Sequence, residues 1–174
     1  MSRKINKLPQ LLVDQIAAGE VIERPASVVK ELIENCLDAG SSSIEVDLED
    51  GGKRLIQVTD DGQGISEDQL PLALASHATS KLKEVADLDR ILTLGFRGEA
   101  LSSMSAVATV EISSRTSGTE MAFRISGRHG EIENLSPVAL RPGTRVRVID
   151  LFSSVPARRR FLRASSAEVA RCSA

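Results

Sequence analysis

The sequence predicts an α+β two-layer domain, and three observations carry that expectation. Apolar residues recur at helical spacing in two early segments, alternate in a strand hairpin just after, and alternate again in a long stretch near the end. Strands that come in runs, rather than one by one between helices, indicate a largely antiparallel sheet and not a doubly wound parallel one. With 174 residues, 41% hydrophobic and 26% charged, the chain can bury one sizeable core.

The elements follow in order. Residues 8–19 read as a short amphipathic helix with Leu8, Leu12 and Ile16 on its inner side and Gly19 as its stop. Pro25 suits the first turn of a second helix, expected to run to about Asp38 and close at Gly40. Its positions Val28, Val29, Leu32, Ile33 and Cys36 make one apolar face. Ile44, Val46 and Leu48 then alternate with acidic residues, and Gly51-Gly52 is expected to turn the chain tightly into an antiparallel partner over 55–58. Helices are expected at about 67–78, at about 85–92 and after Gly98. Residues 107–149 read as three or four strands, with turns at Ser117-Gly118, His129-Gly130 and Pro142-Gly143. A basic helix over about 156–171 closes the chain, anchored by Phe161 and Leu162.

Composition excludes several classes. Cys36 and Cys172 are too few for a disulfide scaffold, and neither has a metal-ligand neighbour. No apolar run approaches the ~20 residues of a membrane span. The basic N-terminus lacks the apolar stretch of a secretory signal, so a reduced, cytosol-type compartment is expected. Four Phe with no Tyr or Trp argue against a reader that stacks single-stranded bases. Charge is divided along the chain. Residues 1–140 carry 14 basic and 22 acidic side chains, whereas 141–174 carry eight Arg against Asp150 and Glu168. A basic end on an acidic body suits an anionic partner for that end, or a solvated helix face balancing the body.

Four places could carry chemistry. Glu31, Asn35 and Asp38 stand at i, i+4 and i+7 and so share one helix face. Glu31 is a candidate general base toward water, and Asn35 a hard neutral ligand for Mg²⁺ beside phosphate oxygens. A solvated acidic face has the same pattern. Asp60, Gly62 and Gly64 follow a strand: the carboxylate can accept from the exocyclic amine of adenine while the glycines admit a flat ligand. The same residues also make an ordinary turn. Gly95, Phe96, Arg97, Gly98, Glu99, Ala100 and Leu101 lead into a helix whose free N–H groups suit phosphate, although no P-loop or dinucleotide fingerprint is present. Thr79, Ser80 and Lys81 offer hydroxyls and an ammonium to a phosphate. His77 and His129 read as structural or surface residues. Arg158, Arg159, Arg160 and Arg163 suit contact with a nucleic-acid backbone without sequence reading.

Together these pieces resemble the four ATP-binding motifs of the GHKL superfamily: Glu31 to Asn35, Asp60 to Gly64, residues 95–101, and Gly143-Thr144. Three longer strings, 15–32, 77–81 and 95–101, resemble the MutL family of mismatch-repair ATPases within it. That resemblance implies a two-layer sandwich with a mixed, mostly antiparallel sheet and helices on one face, spanning 1–174 as one ATP-binding domain. It implies Glu31 as the base, Asn35 as the Mg²⁺ ligand, Asp60 on the adenine amine, and Gly64 and Thr144 beside the ring. Thr79 and Lys81 would touch phosphates, and 95–101 would form a lid loop. It further implies ATP-driven homodimerisation, a DNA clamp, a MutS-type mismatch sensor as partner, and a cytoplasmic, DNA-associated setting. The family continues into a second domain that supplies a lysine to the terminal phosphate, so this chain is expected to be a fragment that binds ATP and hydrolyses it poorly. One departure stands out. Ser153-Ser154-Val155 precede Pro156-Ala157-Arg158 where the family usually has Tyr-Asn-Thr. The rivals are a non-enzymatic nucleotide- or DNA-binding module, and a topoisomerase- or chaperone-type ATPase.

Overall fold

In the computed structural model, which describes residues 6–75 and 100–174, the strands form one seven-stranded sheet. They are β1 (Ile44–Glu49), β2 (Leu55–Asp60), β3 (Thr109–Arg115), β4 (Ala122–Arg128), β5 (Glu131–Ile132), β6 (Ser136–Val138) and β7 (Gly143–Ile149). The order is β1-β2-β7-β3-β4-β5, with β6 also paired to β4. Every pairing among the described strands is antiparallel, so the sheet shows no parallel member there. The last strand in the chain therefore sits in the middle, between β2 and β3.

Alternation decides which face is covered. Ile56 and Val58 on β2, Val110 and Ile112 on β3, and Val148 on β7 are fully buried, whereas Gln57, Glu111 and Arg147 point the other way. On that outer face Arg147 Nη1 pairs with Glu111 Oε2 at 2.8 Å. The helices α1 (Gln10–Val21), α2 (Pro25–Asp38), α3 (Leu70–Ala73) and α4 (Ala100–Val107) are followed at the end by α5 (Pro156–Arg160) and α6 (Ser165–Cys172). α2 lies against β2 and α4 against β3 and β4. As the sequence predicts, α2 starts at Pro25 and buries Val28, Val29, Leu32 and Cys36. Each fully buried aliphatic side chain of that kind contributes about 1.5–3 kcal/mol.

Four expectations need correction. α1 runs through Gly19 to Val21, and its inner residue is Ala18, while Leu8, Leu12 and Ile16 are 48%, 41% and 54% exposed. The close approach is made by small residues. A Cβ on Gly19 would lie 3.0 Å from Arg158 Nη1, and Arg158 Nη2 donates to the Gly19 carbonyl at 2.8 Å. The link between β1 and β2 is not a tight two-residue turn but a 3₁₀ turn, Asp50–Gly52, followed by Lys53 and Arg54. The helix expected from about residue 67 begins at Leu70, because Pro71 has no N–H and is at home only in a first turn. It ends at Ala73, short of the expected end; positions 76–78 and the helix expected at 85–92 lie outside the described residues.

The basic helix breaks in two. α5 ends at Arg160, and α6 starts at Ser165 once the Arg163 N–H has donated to buried Glu168 Oε1 at 2.9 Å. Phe161, expected as an anchor, falls in the break and is 88% exposed, whereas Leu162 packs against the core. In the segment that departs from the family pattern it resembles, Ser154 Oγ donates to the Ala106 carbonyl at 3.3 Å and so ties this segment to α4.

Candidate functional site

The last turns of α2 and the end of β2 meet at one corner of the sheet. Glu31, Asn35 and Asp38 all lie on α2, are half-buried, and each already has an interaction partner. A plain solvated face would leave them exposed.

Asp60 closes β2 and is held on both oxygens. Its Oδ1 accepts the Gly62 N–H at 2.8 Å, and its Oδ2 faces Cys36 Sγ at 3.4 Å. Burial, then the charge of Asp60 and its hydrogen bond, push the Cys36 thiol up to about 12. The thiol therefore stays protonated at neutral pH and donates. Both contacts to Asp60 come from donors, which suits an ionised carboxylate with lone pairs left to accept elsewhere.

The central position of β7 brings Thr144 opposite Asp60 on one side and Ser114 on the other. Ser114 was not among the residues the sequence singled out. Its Oγ accepts the Ile65 N–H at 2.7 Å, donates to the Gly143 carbonyl at 3.0 Å, and lies 2.8 Å from Thr144 Oγ1. Ser114 has one proton, so if Gly143 takes it, the Thr144 hydroxyl donates to Ser114. Thr144 Oγ1 then keeps its lone pairs, and both Asp60 and Thr144 present acceptors. The sequence signal was present: Val110, Ile112 and Ser114 share the inward register of β3, and a hydroxyl in such a row needs a partner.

The glycines of this loop serve the protein's own packing. Gly64 has φ +73°, and a Cβ there would lie 2.3 Å from the Arg115 carbonyl oxygen. A Cβ on Gly62 would meet Ser41 Oγ at 2.7 Å and the Ala39 carbonyl at 2.8 Å. Crowding by the protein's own atoms is by itself enough to require glycine at both positions. The next residue to Asp60 is equally occupied. Asp61 accepts the N–H groups of Ser42 and Ser43, each at 2.8 Å, and the Ser42 hydroxyl at 2.5 Å. These contacts, the Ser42 hydroxyl first, hold its carboxyl below the usual carboxylate value.

Ala100 and Leu101 open α4, and Leu101 packs against the core. Thr79, Ser80, Lys81, Gly95, Phe96, Arg97, Gly98 and Glu99 lie outside the described residues, as does His77. A cleft of about 350 Å³ opens between Ile65 and the β3–β4 hairpin at Thr116, Met121 and Phe123, and neither Glu31, Asn35, Asp60 nor Thr144 lines it. At the basic end, Arg158 is taken into the fold: besides its bond to Gly19, its guanidinium lies 5.1 Å from the Phe152 ring centre. Arg159 is 3.6 Å from Asp150, and Arg160 and Arg163 are exposed.

The site is thus an Asp at a strand end, beside a helix carrying Glu and Asn, on an antiparallel sheet covered on one face. The family model described as histidine kinase-, DNA gyrase B- and HSP90-like ATPase matches residues 22–145, and the chain belongs to that family. Within it the resemblance is to MutL rather than to the topoisomerase or chaperone types. The chain is 51% identical over 165 residues to the DNA mismatch repair protein MutL of Xanthomonas campestris pv. campestris (strain B100), covering 95% of this chain and 26% of that protein. It is 53% identical over 166 residues to MutL of Pseudomonas aeruginosa (strain LESB58), with the same coverage. It thus spans about a quarter of the length of these relatives. Among solved structures, the Aquifex aeolicus MutL ATPase domain complexed with ADP superposes with a TM-score of 0.68 at 33% identity, covering 87% of this chain and 52% of that one. The N-terminal domain of a DNA repair protein superposes with a TM-score of 0.76 at 31% identity, covering 92% and 46%.

Proposed function

We propose that this domain binds ATP with Mg²⁺ and, within a longer MutL-type protein, hydrolyses it to drive DNA mismatch repair. The observation that carries the reading is the junction of α2 and β2: the helix bearing Glu31 and Asn35 is hydrogen-bonded through Cys36 to Asp60. A purine reader and a water-activating group on one helix–strand corner are what nucleotide hydrolysis needs. Acceptors at Asp60 and Thr144 favour the amino group of adenine and disfavour the carbonyl at the same position of guanine.

Glu31 would take the proton of the attacking water, and geometry on α2 keeps it one turn from Asn35. The donor set at Asn35 fits Mg²⁺: it brings one neutral amide oxygen, and no cluster of three or more His, Cys, Asp or Glu that could hold a metal occurs among the described residues. Mg²⁺ commonly takes one or two protein ligands and completes its shell with phosphate and water. When bound it would neutralise phosphate charge, held on the protein side by Asn35. Resemblance assigns Asp38, Thr79, Ser80, Lys81 and residues 95–101 to the same nucleotide. DNA, contacted non-specifically through Arg159, Arg160 and Arg163, a MutS-type sensor, ATP-driven dimerisation and a cytoplasmic setting are proposed on the similarity to MutL. The resemblance places Arg158 in the same set, with its Nη2 donating to the Gly19 carbonyl and its guanidinium beside Phe152.

The test compares residues 1–174 with a chain extended toward the length of its relatives, by ATP calorimetry and single-turnover hydrolysis. Measurable Mg-ATP binding with far slower turnover in the shorter chain is expected, because the resemblance implies that charge on the transferred phosphoryl group comes from outside residues 1–174. Saturated rates agreeing within about twofold would make this domain a complete enzyme. Absence of binding in both chains would refute the reading.

A further inference from the structure

Cys36 links the apolar face of α2 to the end of β2 through a polar contact. It is 5% exposed in the core, yet its sulfur is directed at Asp60 Oδ2 across 24 residues of sequence. The neighbouring contacts are built around the same turn of α2. The Cys36 carbonyl accepts Ser41 Oγ at 2.7 Å and the Ser41 N–H at 3.1 Å, and the Ala39 carbonyl accepts the Gln63 N–H at 3.1 Å. The end of α2 and the loop after Asp60 are therefore one packed unit.

The two contacts on Asp60 divide its oxygens. Gly62 donates to Oδ1 from the loop, and Cys36 donates to Oδ2 from the helix. A carboxylate bonded on one oxygen alone can still turn about its terminal torsion, which is broad and roughly two-fold. Bonded on both, it presents its remaining lone pairs in one direction. We propose that Cys36 is a positioning residue: its thiol orients Asp60 toward the exocyclic amine of adenine and couples purine recognition to the helix that carries Glu31 and Asn35. This rests on the adenine-binding reading of Asp60 above and goes beyond it in assigning a role to the thiol.

The experiment measures the affinity of the chain for ATP and for purine riboside 5′-triphosphate, which lacks the amine, by calorimetry with Mg²⁺. The ratio of the two isolates amine recognition from phosphate and ring contacts. Cys36→Ala removes the donor, Cys36→Val removes it while keeping most of the volume, and Cys36→Ser keeps a donor. Weakening, without loss, of the bond between Asp60 and the amine corresponds to roughly a threefold to tenfold fall in that ratio. That fall is expected in both Cys36→Ala and Cys36→Val, with Cys36→Ser close to the parent. A packing role alone would weaken both ligands equally and leave the ratio unchanged, which overturns the proposal. If Cys36→Ala unfolds, Cys36→Val against Cys36→Ser decides the same point. Asp60→Ala is the control: a ratio that it leaves unchanged refutes adenine reading by Asp60, whereas a ratio lost in Asp60→Ala and kept in Cys36→Val refutes only the thiol's role.

Discussion

The corner around Asp60 and the basic segment around Arg158 are both polar stretches that the sequence marks for ligand contact, and the fold treats them differently. At Asp60 the neighbouring groups are donors, so the carboxylate is braced without being neutralised, and acceptor capacity remains. At Arg158 the neighbours are a carbonyl and an aromatic face, which take up the cation itself. Two residues further on, Arg160 is exposed. A charged residue is free to meet a ligand when the groups around it hold its position and leave its charge unopposed.

The largest effect that would break this contrast is on turnover. Glu31→Ala, in a chain extended toward the length of its relatives, should lower the hydrolysis rate by about 10²–10⁴-fold with ATP affinity largely intact. Steady-state kinetics beside calorimetry read both. Parallel loss of binding would make Glu31 a structural member of α2.

Next comes Asp60→Asn. Whichever way the amide turns, its NH₂ faces a donor, Gly62 N–H on one side or the Cys36 thiol on the other. Loss of a charge-assisted bond costs roughly 1.5–3 kcal/mol, so ATP affinity should fall about 10- to 150-fold in a mutant that still melts cooperatively.

The basic end should divide in the opposite sense. Arg158→Ala gives up a half-buried charged hydrogen bond and a cation–π contact, so stability should fall by about 2 kcal/mol and Tm by roughly 4–8 °C. Arg160→Ala should leave stability within about 0.5 kcal/mol and instead lower the salt dependence of DNA binding by about one counterion. Thermal melts and a salt titration of DNA affinity separate them. A reversed pattern would overturn the contrast.

The smallest effect concerns Asp61, whose carboxyl is held low by Ser42 and Ser43. A depressed folded value means its stabilisation is present above the ordinary carboxylate range near pH 4 and fades as pH falls through the folded value. Asp61→Asn should therefore differ most from the parent at neutral pH, and the two acid-denaturation curves should converge in strong acid.

The sequence by itself determined most of what local pattern controls. Pro25 sets the start of α2, and the apolar spacing through Cys36 puts Glu31 and Asn35 on the other side; alternation in β1, β2 and β3 declares their faces. These outcomes depend on residues a few positions apart, where backbone geometry acts directly. The tertiary structure alone decided the rest. Insertion of β7 between β2 and β3 places Thr144 between Asp60 and Ser114, which lie 84 and 30 positions from it in sequence. The exposure of Leu12 and Ile16 came from α1 approaching through Ala18 and Gly19, because small residues allow helix and arginine to come close. Phe161 was left outside because the chain breaks there to reach Glu168. Such choices weigh contacts between distant segments, and no window of neighbouring residues contains both partners.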